Sequence, residues 1–382
     1  MGGPVSTTVG VEAARKFPVS LGRACRPSQH LRRLNSHASF RFESPVENVW
    51  IVIVDFNGIE DTRKCLRSLQ EVVPPASVIV VDNGSIRDVT LVLKPEFPKT
   101  TFFRSRQNTG WAGGNNIGLR YALARGAECV VLLNNDTTVS PHLVERLMAA
   151  ARSHPEYGIL GPVIRFMDPP SEVQTDGVQF NRVGRPGFFQ RQIVPLTTTP
   201  EPVVTEVDIV NGCCLMVRRD LIASIGFIDE EFFLVHEESD LCLRSQRAGF
   251  KNGVVGEALV WHKGSSTFQR EGKRLQRYYD SRNLIRLLAR HWDRRTGRSM
   301  LLSALLYFRY AYHRYAIERE HGYASSAEAI VEGVYDAWTR RFGQYSHRPR
   351  FGISVVREAF DLVWRLAGEP KVVPTSATPS ML

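Results

Sequence analysis

Residues 129–136 read Cys129-Val130-Val131-Leu132-Leu133-Asn134-Asn135-Asp136. An apolar run of this length that ends in polar residues predicts a strand buried on both faces, because only a covered strand tolerates continuous apolar side chains. Two more such runs, residues 50–54 and 78–81, also end in an aspartate. Helical patterns separate these runs, so the sequence predicts an α/β domain with a mostly parallel sheet flanked by helices.

The turns after these strands carry acidic and amide side chains. Asp55 and Asn57 follow the first strand, and Asp82 and Asn83 follow the second. The carboxyl ends of parallel strands meet at one edge of the sheet, and such sheets bind their ligands there. One aspartate after a strand is usually a turn residue. Three strands that end this way, with Asp136 after the third, predict a binding site.

Composition excludes several classes of protein. The chain has 382 residues, of which 43% are hydrophobic. No stretch reaches the roughly 18 uninterrupted apolar residues of a membrane span, and the first 30 residues lack the apolar centre of a secretory signal. The six cysteines form no Cys-x-x-Cys pair, which favours buried free thiols in a reducing compartment over a disulfide framework or a zinc site. We therefore expect a cytoplasmic protein.

Positive charge is concentrated at the two ends of the chain. Residues 1–45 carry 7 Lys or Arg against 2 Asp or Glu, and residues 270–382 carry 20 against 11. Basic flanks suit phospholipid headgroups, a polyprenyl diphosphate carrier or nucleic acid, but also a merely solubilising surface. No known nucleic-acid-binding module occurs, so no nucleic-acid partner is expected.

Two further segments could contribute to chemistry. Glu237, Glu238 and Asp240 place three carboxylates at the start of a predicted helix, where acidic residues also simply favour the helix dipole. His262 follows the last predicted strand and could supply an imidazole ligand. Asp136, with its neighbouring amides, offers the oxygen ligands that hard divalent cations prefer.

The order of these segments resembles the family 2 glycosyltransferases of the rhamnosyltransferase type. The similarity covers about residues 48–290 and rests on five blocks in the family's order: Asn108–Asn116, Leu132–Thr137, Phe227–Arg244, Val260–His262 and Tyr278–Asn283. The resemblance implies a Rossmann-like GT-A fold and transfer with inversion at the anomeric carbon. It also implies a nucleotide-diphosphate sugar donor, with dTDP-rhamnose as the best candidate, and Mg²⁺ or Mn²⁺ as cofactor.

The resemblance further implies roles for individual residues. Asp136 would hold the metal, with His262 as an additional ligand. Asp229 would lie near the acceptor side. The residues implied to bind the donor are Asp55, Asn57, Asp82, Asn83, Asn108, Gly113, Gly114, Asn115 and Asn135.

The sequence departs from the family at the catalytic base. The family's usual pair is Glu-Asp, whereas this chain has Glu237-Glu238. The extra methylene shifts the reach of Glu238 by about 1.5 Å, near the displacement that costs roughly 100-fold in rate. Glu238 is the first candidate for the base, with Glu237 and Asp240 as alternatives. The departure also leaves open a catalytically inactive relative that only binds a sugar nucleotide or a glycan.

The resemblance divides the chain into three parts. Residues 1–45 would be a flexible basic extension, with a transit peptide, a myristoylation signal or a misplaced start site as alternatives. Residues 46–270 would be the catalytic domain, split into a nucleotide-sugar half (46–136) and an acceptor half (137–270).

Residues 271–382 would be a C-terminal helical region. Its aromatic and basic residues around 300–315 suit an interfacial helix, although packing on the catalytic domain would explain them as well. We expect a glycan or polyprenyl-linked acceptor and peripheral contact with the inner face of the plasma membrane through these helices.

Overall fold

The parallel half of the fold forms as the apolar runs predict. The computed structural model describes residues 48–74, 77–180, 189–191, 203–264, 273–291 and 300–367, so the predicted extension 1–45 lies outside the described residues. Four parallel strands lie side by side in the order β4-β1-β2-β3: β1 (Val49–Asp55), β2 (Val78–Asp82), β3 (Thr101–Arg104) and β4 (Cys129–Asn134). Three helices connect them: α1 (Ile59–Leu69), α2 (Val89–Leu93) and α3 (Gly110–Ala124).

The sheet continues beyond β4 with mixed strand directions. Its remaining strands are β5 (Thr137–Val139), β6 (Tyr157–Phe166), β7 (Val173–Thr175), β10 (Val204–Val207), β11 (Cys214–Arg218) and β12 (Lys251–His262). β11 lies antiparallel between β4 and β6, whereas β12 runs parallel to β6. A small hairpin is formed by β8 (Val178–Phe180) and β9 (Phe189–Arg191). The helices of this half are α4 (Leu143–Ser153), α5 (Arg219–Ile225) and α6 (Glu237–Arg247).

Two details differ from the expectation. The residues from 207 to 217 have the apolar character of a single strand in the sequence, but the chain turns at Asn211-Gly212 between β10 and β11. Asn-Gly is a strong turn signal, and the Asn211 side chain accepts a hydrogen bond from the Cys213 backbone N–H at 2.8 Å. β6 was not predicted, because Gly158, Gly161 and Pro162 interrupt its pattern.

The sheet is covered on both faces. Ile51 and Ile53 point into the core under α1 and α4, while Val52 points into the core under α3. Helix α3 packs unusually close to β1, since a Cβ atom at Gly118 would lie 2.3 Å from Cγ1 of Val52. This close contact holds the middle of α3 directly against the middle of β1.

The C-terminal region is helical, as predicted. Its helices are α7 (Lys273–His291), α8 (Met300–Glu320), α9 (Ala324–Trp338) and α10 (Ile353–Ala367). Their buried side chains, among them Leu284, Ile330 and Phe360, belong to the same hydrophobic cluster as Val52 of β1. The helices therefore share the core of the sheet. No helix among the described residues is long and apolar enough to cross a membrane.

Candidate active site

A cleft of about 490 Å³ opens at the carboxyl ends of β1 and β4. It brings together four residues that the sequence singled out for chemistry: Asp136, Glu237, Glu238 and His262. Three of the amide residues also line it: Asn83, Asn108 and Asn135. The other predicted site residues lie outside its lining: Asp55, Asn57, Asp82, Gly113, Gly114, Asn115 and Asp240.

Asp136 and His262 form a buried pair. Strand β5 pairs antiparallel with the end of β12, which places the two residues side by side. The His262 Nε2 atom lies 3.2 Å from an Asp136 carboxylate oxygen, and the two side chains are 7% and 6% exposed. The other ring nitrogen, Nδ1, faces the amide oxygen of Gln174 at 3.0 Å. Both ring nitrogens of His262 therefore face an oxygen atom, one of Gln174 and one of Asp136.

This pair fits a divalent cation. It offers a carboxylate and an imidazole nitrogen, and magnesium-type sites usually add waters and substrate phosphates to one or two protein ligands. Gln174 is the outer partner that ligating histidines commonly have. Among the described residues, no three His, Cys, Asp or Glu side chains converge on one point. Any cation here would therefore depend on the diphosphate of a donor for its remaining ligands.

Asp55 lies beneath the cleft and is fully buried. Its carboxylate accepts hydrogen bonds from the Gly58 backbone N–H at 3.2 Å, from the Ser85 hydroxyl at 3.1 Å and from Thr62. The Asn135 amide adds a fourth at 3.3 Å. Burial raises the pKa of Asp55, against the opposing effect of these hydrogen bonds. Asp55 thus ties β1 to the loops after β2 and β4.

Asp82 has the corresponding place at the end of β2. It is also fully buried. It accepts hydrogen bonds from the backbone N–H groups of Ser85 at 2.8 Å and Val89 at 3.2 Å, and it pairs with Arg104 at 3.1 Å. The Asn57 side chain accepts from the Ile86 N–H at 2.8 Å and braces the same loop. The structure places Asp55, Asn57 and Asp82 as supports of the loops that form the cleft.

The amide residues connect β2 to the start of α3. Asn83 donates to Asn108 at 3.1 Å and to the Gly110 carbonyl at 2.9 Å. Gly113 and Gly114 are buried in packing contacts, since a Cβ at Gly114 would lie 2.7 Å from Val54. Asn115 donates within α3 to the Trp111 carbonyl at 2.9 Å. Contact of these residues with a diphosphate remains a prediction.

Glu237 and Glu238 open helix α6 on the lining of the cleft. Glu237 is 5% exposed, and its Oε2 atom has no hydrogen-bond partner among the described residues. Burial, together with the negative charge of Glu238, raises the pKa of Glu237 well above its usual range. Glu238 is partly exposed and lies over Gly212, where a Cβ would come within 3.3 Å of its side chain.

Asp240, one turn further along α6, has different surroundings. It is fully buried and pairs with Arg244 at 2.7 Å and with His291 at 2.8 Å. Asp229, expected near the acceptor, is held by Arg286 at 2.8 Å and Arg290 at 2.6 Å. Both aspartates attach α7 to the catalytic domain.

One wall of the cleft comes from residues to which the sequence assigned no role in the site. Helix α7 contributes Leu275 and Tyr279, and the loop between α9 and α10 contributes Gln344 and Tyr345. The Tyr279 ring stacks on Phe233, with centroids 5.5 Å apart, and its hydroxyl accepts from the Tyr345 N–H at 2.8 Å. Nothing in the sequence places residue 345 beside residue 279. The same cleft is lined by Trp111, whose indole N–H donates to the Asn134 side chain at 3.0 Å.

The comparisons with known proteins agree with this geometry. Residues 50–226 match the family model described as Glycosyl transferase family 2. The chain is a glycosyltransferase, and residues 50–226 carry its similarity to family 2. The family model spans the strands that carry Asp55, Asp82 and Asp136, but stops before α6. Glu237 and Glu238 lie outside the matched residues.

Three curated relatives are similar to this chain. A low-salt glycan biosynthesis hexosyltransferase of Haloferax volcanii is 26% identical, with 63% of this chain and 75% of the relative covered. An N-acetylglucosaminyl-diphospho-decaprenol L-rhamnosyltransferase of Mycobacterium tuberculosis is 29% identical, with 57% and 76% covered. A dTDP-rhamnosyl transferase of Shigella flexneri is 25% identical, with 64% and 81% covered.

A solved structure is also similar. It is a mannosyltransferase from Pyrobaculum calidifontis in complex with GDP-Man and Mn²⁺, at 13% identity and a TM-score of 0.47, with 77% of this chain and 88% of that chain covered.

Proposed function

We propose that this glycosyltransferase moves a sugar, with inversion, from a nucleotide-diphosphate donor to an acceptor hydroxyl, using a divalent cation and a carboxylate base. The observation that carries the proposal is that Asp136, His262, Glu237 and Glu238 line one cleft. The acceptor oxygen forms the new bond to the anomeric carbon, its proton passes to the base, and the diphosphate leaves with the electrons of the broken bond. A cation held by Asp136 and His262 would neutralise the charge that develops on the diphosphate.

Glu238 is the proposed base. A base must be ionised and must reach the acceptor proton. Glu237 is poorly suited, because burial raises its pKa and so disfavours the ionised form that a base needs. Asp240 is fully buried and engaged by Arg244 and His291. Of the three candidates, this leaves Glu238, which lines the cleft and is partly exposed.

The proposed donor is dTDP-rhamnose. The support comes from the relatives from Mycobacterium tuberculosis and Shigella flexneri, whose names specify rhamnosyl transfer. We propose that Asn83, Asn108 and Asn135 contact the donor directly from the lining of the cleft, and that Asp55 and Asp82 act through the loops they hold.

Binding of the donor tests the proposal. Titration of dTDP-rhamnose and of UDP-sugars, with Mn²⁺, with Mg²⁺ and with EDTA, should show one donor that binds only when metal is present. Asp136→Ala should weaken that binding at least tenfold. Asp220→Ala is the control, since Asp220 is exposed and pairs with Arg218 at the opposite end of the sheet. Donor binding that EDTA leaves unchanged would contradict the metal site.

The proposed acceptor is a polyprenyl-linked glycan at a membrane surface. The helix first considered for membrane contact, α8, packs inward in its described part, where Tyr307 and Tyr315 are buried. Helix α10 instead exposes an apolar stripe that continues from the preceding loop: Phe351, Val355, Leu362 and Leu366. Arg365 of the same helix is exposed, and so are Arg340 and Arg348 in the chain that leads to it. An apolar stripe with basic neighbours suits the surface of an anionic bilayer.

Flotation with liposomes tests this surface. The wild type should float with vesicles that contain anionic lipid, and Leu362→Glu should float several-fold less. Ser354→Glu adds the same charge at an exposed polar position of α10 and should float like the wild type. Equal flotation of the two variants would show that the stripe is not the contact.

A further inference from the structure

The segment that leads into helix α6 has an unusual backbone. Phe233, Val235 and His236 have φ angles of 66°, 69° and 72°. The left-handed region is unfavourable for residues with a side chain, and most of all for a β-branched one such as Val235. Glu237 and Glu238 follow directly. The cleft therefore receives its glutamates from a strained piece of chain, and such strain persists only where the surroundings enforce it.

Asn283 of α7 is the main group that enforces this backbone. Its side-chain amide donates to the carbonyl oxygens of Phe232 at 2.9 Å, Leu234 at 2.7 Å and Val235 at 2.7 Å. Asn283 is fully buried. The two N–H groups of this amide are shared among three carbonyl oxygens, and they fix the path of the chain from Phe232 to Val235.

Arg282, the neighbouring residue, binds the same segment, and we call Arg282 and Asn283 together the clamp. Its guanidinium donates to the Phe232 carbonyl at 2.9 Å, to the Gly343 carbonyl at 2.6 Å and to the Asn283 side-chain oxygen at 2.9 Å. It is fully buried. Arg282 thus orients Asn283 and also holds the loop that carries Gln344 and Tyr345 into the cleft.

The remaining contacts of the segment come from both sides of the cleft. The Trp111 backbone N–H donates to the Phe233 carbonyl at 2.8 Å, so every carbonyl from residue 232 to residue 235 has a donor. The imidazole of His236 lies 3.1 Å from the Asp280 carboxylate on α7. The segment is therefore pinned between the start of α3, beside the donor-facing asparagines, and α7.

We infer that Arg282 and Asn283 are positioning residues, which hold the strained segment 233–236 so that Glu238 is directed at the acceptor hydroxyl. This inference rests on the proposed role of Glu238 as base. Neither residue lines the cleft; both act through the backbone that they bind. Relaxation of the segment into an ordinary conformation would move the start of α6, and a displacement near 1 Å can cost about 100-fold in rate.

The test compares two buried asparagines. Asn283→Leu removes the clamp at nearly constant volume. Asn252→Leu is the matched control, because Asn252 is also fully buried and donates to two backbone carbonyls, of Asp208 and Cys242, both at 2.9 Å. For each variant we would measure kcat, the donor KM, and hydrogen exchange of the peptide 231–240.

Asn283→Leu should lower kcat about 100-fold with the donor KM within a few-fold of wild type, and should speed exchange in 231–240. Asn252→Leu should leave kcat and that exchange near wild type. Adding Val235→Gly to Asn283→Leu should restore kcat about tenfold, because glycine adopts the left-handed region without strain. Val235→Gly alone, which alters the cleft lining, gives the baseline for that comparison.

Equal kcat losses in the two asparagine variants, or unchanged exchange in 231–240, would overturn the inference. If Asn283→Leu does not fold, Arg282→Lys replaces it, since lysine keeps the charge but loses the forked donors of the guanidinium. Its kcat and its hydrogen exchange in 231–240 are then compared with those of Asn252→Leu. A wild type that turns over no donor would defeat the proposed function alone, and the exchange of 231–240 would still show whether the clamp holds the segment.

Discussion

The carboxylates at the strand ends and the carboxylates of α6 have opposite surroundings. Asp55 and Asp82 are fully buried but surrounded by hydrogen-bond donors from their own loops. Glu237 is almost as buried, yet one of its oxygens has no partner in the described part of the chain. A buried carboxylate with a full set of hydrogen-bond donors stabilises a fold. A buried carboxylate oxygen without a donor costs free energy, and a substrate that supplies a hydrogen bond can reduce that cost.

The same contrast appears within one turn of α6. Burial raises the pKa of Glu237 and the charge of Glu238 adds to the effect. Burial would also raise the pKa of Asp240, but the His291 hydrogen bond and the charges of Arg244 and Arg290 lower it below its usual value. Glu237 and Asp240, which belong to one turn of the same helix, thus have pKa values shifted in opposite directions.

The largest expected effect is on kcat, and it distinguishes Glu238 from Asp240. Glu238→Gln should lower kcat by about 100- to 10,000-fold, the usual contribution of a general base, while donor affinity stays near wild type. Asp240→Asn should mainly lower the melting temperature, because it weakens the pairs with Arg244 and His291. Single-turnover transfer and thermal unfolding measured on both variants check this. A large kcat loss in Asp240→Asn, with Glu238→Gln active, would reverse the assignment.

The sequence predicted the fold better than the roles within the site. The apolar runs of β1, β2 and β4 mark buried strands by themselves, and the polar turns after them mark the correct edge of the sheet. Whether an aspartate in such a turn faces the ligand depends on which donors surround it, and those donors lie far away in sequence. Asp82 meets Arg104, whereas Asp136 meets His262.

The aromatic wall of the cleft could not be predicted. Tyr279 and Tyr345 meet only because α7 and the loop before α10 pack against the same segment of the catalytic domain. Tyr278–Asn283 was recognisable as a motif, but its task of binding backbone carbonyls leaves no trace in the sequence. The turn at Asn211-Gly212, which lines the cleft, did have a readable signal.

The second largest expected effect is a loss of stability without a loss of activity, and it distinguishes Asp55 from the carboxylates that line the cleft. Asp55→Asn should lower the free energy of unfolding by about 1–3 kcal/mol, because an amide cannot accept all the hydrogen bonds that reach this carboxylate. The folded fraction should retain most of its activity. Denaturant unfolding and kcat per folded molecule measure the two quantities, with Glu238→Gln as the variant of opposite behaviour. An Asp55→Asn enzyme that is stable but inactive would give Asp55 a direct role in the cleft.

The smallest effect concerns the pH dependence of stability, and its sign distinguishes Glu237 from Asp240. The pKa of Glu237 is raised on folding, so above about pH 4.5 the unfolded chain has released a proton that the folded chain retains. Its contribution to stability is complete below that pH and is lost as the pH rises through the raised pKa. Asp240 behaves oppositely: its lowered pKa stabilises the fold above about pH 3.8, and this contribution is lost as the pH falls.

Glu237→Gln should therefore unfold at a higher denaturant concentration than the wild type at pH 8, and the advantage should shrink as the pH is lowered to 5. Asp240→Asn should be less stable than the wild type at pH 8, and its deficit should shrink only as the pH falls below 4. Urea unfolding at several pH values measures both variants. The stability difference between Glu237→Gln and the wild type could instead stay constant between pH 5 and pH 8. That result would mean that the pKa of Glu237 is not raised on folding, and it would remove the reason for preferring Glu238 over Glu237 as the base.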